Sequence, residues 1–467
     1  MNWQAIGEGW QLNFSLIKVT LRIAQSNTNM ITRIEIDGFK SFKDFAVEFA
    51  PFTVVAGANA SGKTNLFDAL AFLKAMAEHG DLEKAMNRTR GVPLHLFTQY
   101  APDRYADEMS FAVNILAPKS STYLSNVREI SHANRLRYIL VIGRDIGGGE
   151  AYRPYVKYES LETISVSEDR WVQRFIPEHS LEQYLIVNEP PVLIYEYEDE
   201  KAPPAIGRFI PKHSKIGQAT TDSQPELLSA RLELSRMQLL DLNNRSLYAD
   251  AQLIWSKRIP ASSERLVNLV SNLKESDPHA LKAFQRLVSR IVPEIKEVDI
   301  YKDDLQQVTL FANDGNGRTM TAESLSEGTL RIMLLVAHAL TASEPDILLI
   351  EEPENGIAPG KIESMVRLLQ TMVTDFHRPE TKLRQLICTT HSPALIEAVR
   401  ATENSGTIAL LTLKNTLLTT IGDERISIKA TRMERIPLSN GFDETKNAQT
   451  LTRAKDYFTR SQASVDA

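Results

Sequence analysis

The chain has one cysteine, Cys388, among 467 residues. An internal disulfide is therefore excluded, which suits a reducing compartment, and the apolar run Leu386-Ile-Cys388 makes this thiol a buried structural one. No apolar stretch approaches the roughly 20 residues that span a bilayer, and residues 1–29 lack the layout of a signal peptide. A cytoplasmic protein with no membrane partner is expected. Positive charge is not in excess either, since the formal net charge is −6. The chain as a whole then offers nucleic acid no attraction, and DNA contact would have to come from local patches such as Arg135, Arg137 and Arg144. A solvated strand edge is the favoured reading of those three. What remains, 43% hydrophobic and 24% charged residues, is the profile of a soluble globular chain long enough for more than one core.

The organising stretch is Gly57-Ala-Asn59-Ala60-Ser61-Gly62-Lys63-Thr64. Its spacing, G-x-x-x-x-G-K-[ST], is that of a loop that cradles phosphates. The β-branched and apolar run Phe52–Ala56 reads as a buried strand ending at the loop. Leu66, Phe67, Leu70 and Leu73 read as one face of a helix beginning at it. Glycines let backbone amides turn inward without a Cβ in the way, and a helix N-terminus adds partial positive charge. Lys63 would sit on the β- and γ-phosphates and Thr64 on Mg2+, the roles this motif gives those positions.

Residues 1–29 read as an N-terminal extension or an upstream start before Met30, without an assigned function. Met30–Ile36 and Ala46–Phe49 alternate with period two around Asp37-Gly-Phe39-Lys40-Ser41-Phe42, a hairpin leading into the loop strand. Lys40 or Phe42 would face an adenine, or else pack on the lobe as turn residues. Met109–Ile115, Tyr138–Ile142, Val156–Glu159 and Leu193–Tyr197 read as strands of an antiparallel lobe. Before them, Gln99 is a candidate for Mg2+ and its water, and Arg90 for neutralising charge in trans. A loop glutamine and a solvated arginine are the competing readings. Leucines from Leu227 through Leu239 and Leu240, then Leu266 to Leu287, have helical spacing, while Pro260 and Pro278 and the lack of sustained heptads exclude a long coiled-coil arm. Val308–Ala312 and Arg318–Thr321 flank a second hairpin signal, Asn313-Asp-Gly315-Asn-Gly317.

A second cluster of chemistry follows. Ser324-Leu-Ser326-Glu-Gly328-Thr329 precedes an apolar helix, and alone it would be only an N-cap beside a flexible glycine. Next, four apolar residues, Ile347–Ile350, end in Glu351, Glu352 and Pro353, which is how a parallel strand delivers acids to its C-terminal edge. Glu351 would hold the Mg2+ water shell and Glu352 would polarise an attacking water. A third apolar strand, Leu386–Cys388, runs into Thr389-Thr-His391-Ser-Pro393, placing an imidazole beyond the same edge.

Taken in this order, the Walker A loop, the LSEGT string, the Walker B acids and the switch histidine resemble the ABC-type ATPase head of the SMC and RecF branch. The strings GFKSF, IEEPENG and TTHSP are similar to those of RecF- and OLD-related AAA ATPases of bacteria and phage defence. The resemblance covers residues 30–75 and 320–400. It implies an α/β ABC-type head with a P-loop sheet, an antiparallel β lobe and a compact helical insertion. The expected division is an extension at 1–29, lobe I at 30–220, the insertion at 221–297 and lobe II at 298–467. ATP and Mg2+ are the implied ligands. Gly57, Asn59, Ala60, Ser61, Gly62, Lys63, Thr64 and Asn65 would hold nucleotide, Thr64, Glu351 and Gln99 would hold metal, and Glu352 and His391 would be catalytic. Ser326 and Gly328 would contact the γ-phosphate of ATP bound by a second copy, giving a homo-oligomer through ATP-sandwiched heads. Two departures stand out: Glu351 where many relatives have Asp, and Ala358 where many have His. After residue 400 no acidic cluster resembles a Toprim nuclease, so a separate nuclease effector in an antiphage system is the expected partner. The alternatives are a repair ATPase that binds DNA directly and a nucleotide-gated scaffold with negligible hydrolysis.

Overall fold

Apolar runs without polar interruption have no side to offer water, and in the computed structural model they form the centre of a mostly parallel sheet. The structure describes residues 30–122, 128–130, 132–145, 153–186, 191–198, 212–220, 224–243, 248, 251–252, 266–276, 278–302, 307–341, 347–378, 384–402, 406–421, 424–436 and 438. The extension at residues 1–29 lies outside the described residues. The described residues fall into two compact units, one drawn from within Asn27–Asp241, Glu344–Glu354 and Gln370–Ala467, the other from within Leu242–Ser343 and Asn355–Leu369.

In the first unit the sheet runs Met237–Leu240, Ile347–Glu351, Gln385–Thr390, Phe52–Ala56, Thr407–Ile421 and Glu424–Ile436. The first five strands pair in parallel, and the last folds back antiparallel on the fifth. Phe52–Ala56 and Gln385–Thr390 are buried at every position. Truncating Ile387 to alanine there would cost about 2–5 kcal/mol. Register brings three strand ends level, because Ala56 lies opposite Thr390 and Thr389 opposite Glu351. Gly57, His391 and Glu352 therefore leave the sheet at one edge.

Leu239 and Leu240 correct the expected helix. The helix Pro225–Ser235 stops, and Met237–Leu240 becomes the parallel neighbour of Ile347–Ile350. A short stretch such as Met-Gln-Leu-Leu fits either element, and the flank of the acidic strand supplies backbone partners that a helix continuation would leave unused. Lys74 Nζ ties this strand to the loop helix by donating to the Met237 carbonyl at 2.6 Å.

The expected antiparallel lobe is a six-stranded sheet ordered Leu193–Glu198, Arg153–Thr163, Arg135–Asp145, Glu108–Leu116, Met30–Asp37 and Phe45–Glu48. Gln385 joins it to the parallel sheet. Its fully buried amide accepts from Ile31 N at 3.0 Å and donates to Ile31 O at 2.7 Å and Ala50 O at 3.1 Å. The arginine patch is not the solvated strand edge expected, because Arg135–Asp145 is an interior strand. Arg135 is 1% exposed and paired with Asp169. Arg137 pairs with Glu35 at 2.9 Å, and Arg144 with Asp107 at 3.1 Å.

In the second unit the helices Leu266–Ser276 and Pro278–Ile291 pack with the helix Glu327–Leu340. Pro278 opens the second of them, where a missing N–H is harmless. The expected hairpin is present between Gln307–Asn313 and Thr319–Thr321, with Gly315 and Gly317 at φ 81° and 85°.

Candidate functional site

Gly57 continues the loop strand by donating its N–H to the Thr390 carbonyl at 3.1 Å. From there Ala58–Ser61 turns, with Ala60 left-handed at φ 60°, and Gly62 caps the helix Lys63–His79 at φ 109°. The second glycine is required by geometry twice over. Its φ is one that side chains rarely adopt, and a Cβ there would lie 2.1 Å from Thr431 Oγ1. A Cβ at Gly57 would stand 2.7 Å from Ser61 Oγ.

Lys63 is 7% exposed, and its ammonium donates to the carbonyls of Gly57 at 2.7 Å and Ala58 at 2.8 Å. Burial pulls its pKa down, against the opposing fields of Glu352, Glu354 and Glu351. Ser61 Oγ is buried with no hydrogen-bond partner among the described residues. A lysine surrounded by three carboxylates, an unanswered hydroxyl and a cradle with no room for a Cβ fit a polyphosphate. Thr64 and Asn59 are exposed on this loop and helix start, and Asn65 donates to Ser41 Oγ at 2.7 Å.

At the same edge Glu351 ends its strand and Glu352 follows in a left-handed conformation, φ 48°. Such backbone costs on the order of 1–3 kcal/mol in a non-glycine residue and persists where the surroundings enforce it. Here the Glu352 N–H bonds the Thr389 carbonyl at 3.0 Å, and His391 Nδ1 lies 2.8 Å from Glu352 Oε1. Carboxylate and imidazole thus form a pair beyond the strand ends.

Arg90 makes intrachain ion pairs. It donates to Asp68 at 2.8 Å and to Glu351 at 2.9 Å, while Lys40 Nζ holds the other Asp68 oxygen at 2.6 Å. Burial lowers the Arg90 pKa, but the bonds to Glu351 and Asp68 reverse this and leave it raised. Phe42 is fully buried against Phe45, ring centroids 4.4 Å apart, so it cannot meet a base. Lys40 instead lines a pocket of about 260 Å³ together with Asn65, His95, Gln99, Tyr105 and Lys429. Gln99 is exposed there and donates to the Pro102 carbonyl at 2.7 Å.

Ser326 and Gly328 belong to the other unit. Ser326 is the N-cap of the helix Glu327–Leu340, accepting from Thr329 N at 3.3 Å. Gly328 approaches the Gly356 loop so closely that a Cβ would stand 2.1 Å from the Gly356 carbonyl oxygen. Ala358 accepts from Lys361 N at 2.8 Å at the start of the helix Pro359–Thr371. Cys388 is buried, and burial pushes its thiol pKa well up.

Three contributors escaped the sequence reading. Thr431, on the last strand of the sheet, donates to the Ser61 carbonyl at 3.1 Å and bonds Ser41 Oγ at 2.7 Å. Nothing in its own surroundings along the chain marks it, because its partner lies 370 residues away. Asp68, the anchor shared by Lys40 and Arg90, carried a signal in being an acid on the buried face of the loop helix. Glu354 carried one as well, as the third acid of Glu351-Glu-Pro-Glu354. It is 6% exposed and hydrogen-bonded by Thr390. Among the described residues no group of three or more His, Cys, Asp or Glu forms a metal cluster, and no helix is long and apolar enough to cross a membrane.

Comparison with known proteins adds a family. The model described as "AAA domain, putative AbiEii toxin, Type IV TA system" matches residues 52–397. Among solved structures, the chain is similar to an SMC head bound to the C-winged-helix domain of ScpA at 11% identity, covering 87% of this chain and 97% of that one with a TM-score of 0.45. It is also similar to the SMC head domain from Thermotoga maritima, at 12% identity with 87% and 99% covered and a TM-score of 0.37. A third is the Smc head domain with an extended coiled coil, bound to the C-terminal domain of ScpA, from Pyrococcus furiosus. It has 10% identity, 91% and 100% covered, and a TM-score of 0.45. No curated protein matches.

Proposed function

The chain belongs to this AAA-domain family, and from that premise we propose that it binds ATP with Mg2+ and hydrolyses it slowly as an ABC-type ATPase. One observation carries the reading: the Gly57–Thr64 loop, Glu351–Glu352 and His391 leave adjacent strands of one sheet at one level. Gly57, Asn59, Ala60, Ser61, Gly62, Lys63, Thr64 and Asn65 would surround the nucleotide. Lys63 would exchange its own loop carbonyls for phosphate oxygens, a trade of neutral acceptors for charged ones. Thr64 and Glu351, with Gln99 assisting, would hold Mg2+, which supplies charge neutralisation when bound. Glu352 would take the proton of the attacking water as its oxygen bonds the γ-phosphorus and the bond to the β-phosphate oxygen breaks. His391, hydrogen-bonded to Glu352, would keep that carboxylate aimed.

Ser326 and Gly328 of a second copy would close on the γ-phosphate, so ATP would favour a homo-oligomer and hydrolysis would weaken it. We read the chain as the ATPase and sensor subunit of an antiphage system whose effector is a separate nuclease, with cytoplasmic action. The match to an AAA family described by toxin systems supports this. The direct DNA-binding alternative draws no support from Arg135, Arg137 and Arg144, which are paired internally. Affinity purification from the native host, followed by a phage challenge of wild type and Lys63→Ala, tests the assignment. A co-purifying nuclease and loss of protection in the variant are expected. Equal phage sensitivity in both strains, with no second protein and with DNA-damage sensitivity on gene loss, would replace this reading by repair.

A further inference from the structure

Glu354 is a buried carboxyl in no ion pair among the described residues, although Lys63 feels its field. It lies two residues beyond Glu352, 6% exposed. Thr390 Oγ1 hydrogen-bonds Glu354 Oε1, and the same hydroxyl accepts the Ser392 N–H at 2.9 Å. Thr390 Oγ1 thus donates to Glu354 Oε1 while one of its lone pairs takes the Ser392 N–H. Glu354 Oε2 has no hydrogen-bond partner among the described residues. The two bonds at Thr390 bracket a single residue, His391, whose Nδ1 lies 2.8 Å from Glu352 Oε1.

On the ATPase reading given above, we propose that Glu354 is a positioning residue for hydrolysis: through Thr390 it fixes the turn that sets His391 against Glu352. A carboxylate with one buried oxygen unanswered is far costlier than a protonated one, and burial does raise the Glu354 pKa. The charged and titratable groups facing it are Glu352, His391, Lys63 and Cys388.

The test combines turnover with a readout that needs no nucleotide. Steady-state ATP hydrolysis is measured for wild type, Glu354→Ala, Glu354→Gln and Thr390→Val, with Lys63→Ala as the control for nucleotide-dependent turnover. The ring resonances of His391 are followed in histidine-labelled protein without ATP and assigned by a His391→Gln sample. We expect Glu354→Ala and Thr390→Val to lower kcat by about ten- to a hundredfold with KM for ATP within about twofold, the signature of misplaced groups rather than lost binding. The His391 resonances should move in both. Glu354→Gln keeps the accepting oxygen and should recover most of the lost rate and the native His391 shifts. Wild-type kcat in Glu354→Ala with unmoved His391 resonances would overturn the proposal, as would a Gln variant no better than Ala. If Glu354→Ala does not fold, Thr390→Val and Glu354→Gln decide by the same criteria. Wild-type protein with no more turnover than Lys63→Ala would overturn the ATPase reading and this role with it, whereas normal wild-type turnover with an indifferent Glu354 would remove only this role.

Discussion

Lys63 is held by carbonyls of its own loop while three glutamates exert their field on it, so a positive charge is poised where phosphates would come. Lys63→Ala should therefore bind ATP at least about a hundredfold more weakly by titration calorimetry, the loss of a charged hydrogen bond of roughly 3 kcal/mol. Unchanged affinity would contradict its assignment. Glu354 makes a prediction about stability. Its folded pKa is raised above the ordinary 4.5, so the native state binds more protons than the unfolded one between those two values. Stability is thereby lost as pH rises through that window, and Glu354→Gln removes the loss. The melting temperatures of wild type and Glu354→Gln without nucleotide should converge below pH 4.5 and separate in favour of the variant toward pH 7. A gap independent of pH would show that Glu354 does not bind its proton more tightly in the native state. Residue identities at the loop and the acidic strand were legible because local spacing defines them. Arg135 was not: its partner Asp169 lies 34 residues on, and an arginine alternating with apolar neighbours looks solvated until the far partner is known. Arg135→Ala should cost about 3–5 kcal/mol in urea unfolding, since it strands a buried carboxylate, and a cost below about 1 kcal/mol would place the pair at the surface.

Among the elements, the strands rich in apolar and β-branched residues were legible and the short ambiguous one was not. Phe52–Ala56, Ile347–Glu351 and Gln385–Thr390 are runs that only a two-sided burial explains. Met237–Leu240 has only four residues after a helix, and its identity is decided by pairing with Ile347–Ile350, a fact of assembly rather than of local pattern. The same holds for Glu424–Ile436, whose Thr431 closes on the phosphate loop. The helix start at Ser326 shows how one string carries two meanings. Its serine is a working N-cap and its Gly328 admits the Gly356 carbonyl, so the string has a structural reason independent of any second copy. Gly328→Ala should lower stability by about 1–3 kcal/mol through that clash. Calorimetric unfolding at the wild-type temperature would show that the loop gives way freely.

For the whole molecule, the sequence order of loop, serine-glycine helix, acidic strand and histidine pointed to an α/β nucleotide-binding fold, and the sheet brings the loop, the acids and the histidine to a single edge. Long-range features were beyond its reach, because Gln385 joining two sheets and Arg90 reaching Glu351 depend on residues hundreds of positions apart. The proposed oligomerisation on ATP belongs to this scale, because in that proposal a second copy completes each site. The most direct test is the Glu352→Gln protein with Mg2+ and ATP, monitored together for ATP turnover and for sedimentation. The account predicts that it retains ATP, hydrolyses it at least about a hundredfold more slowly than wild type, and sediments as an oligomer that ADP does not support. Wild-type turnover by the Glu352→Gln protein, or the same sedimentation with ATP and with ADP, would contradict it.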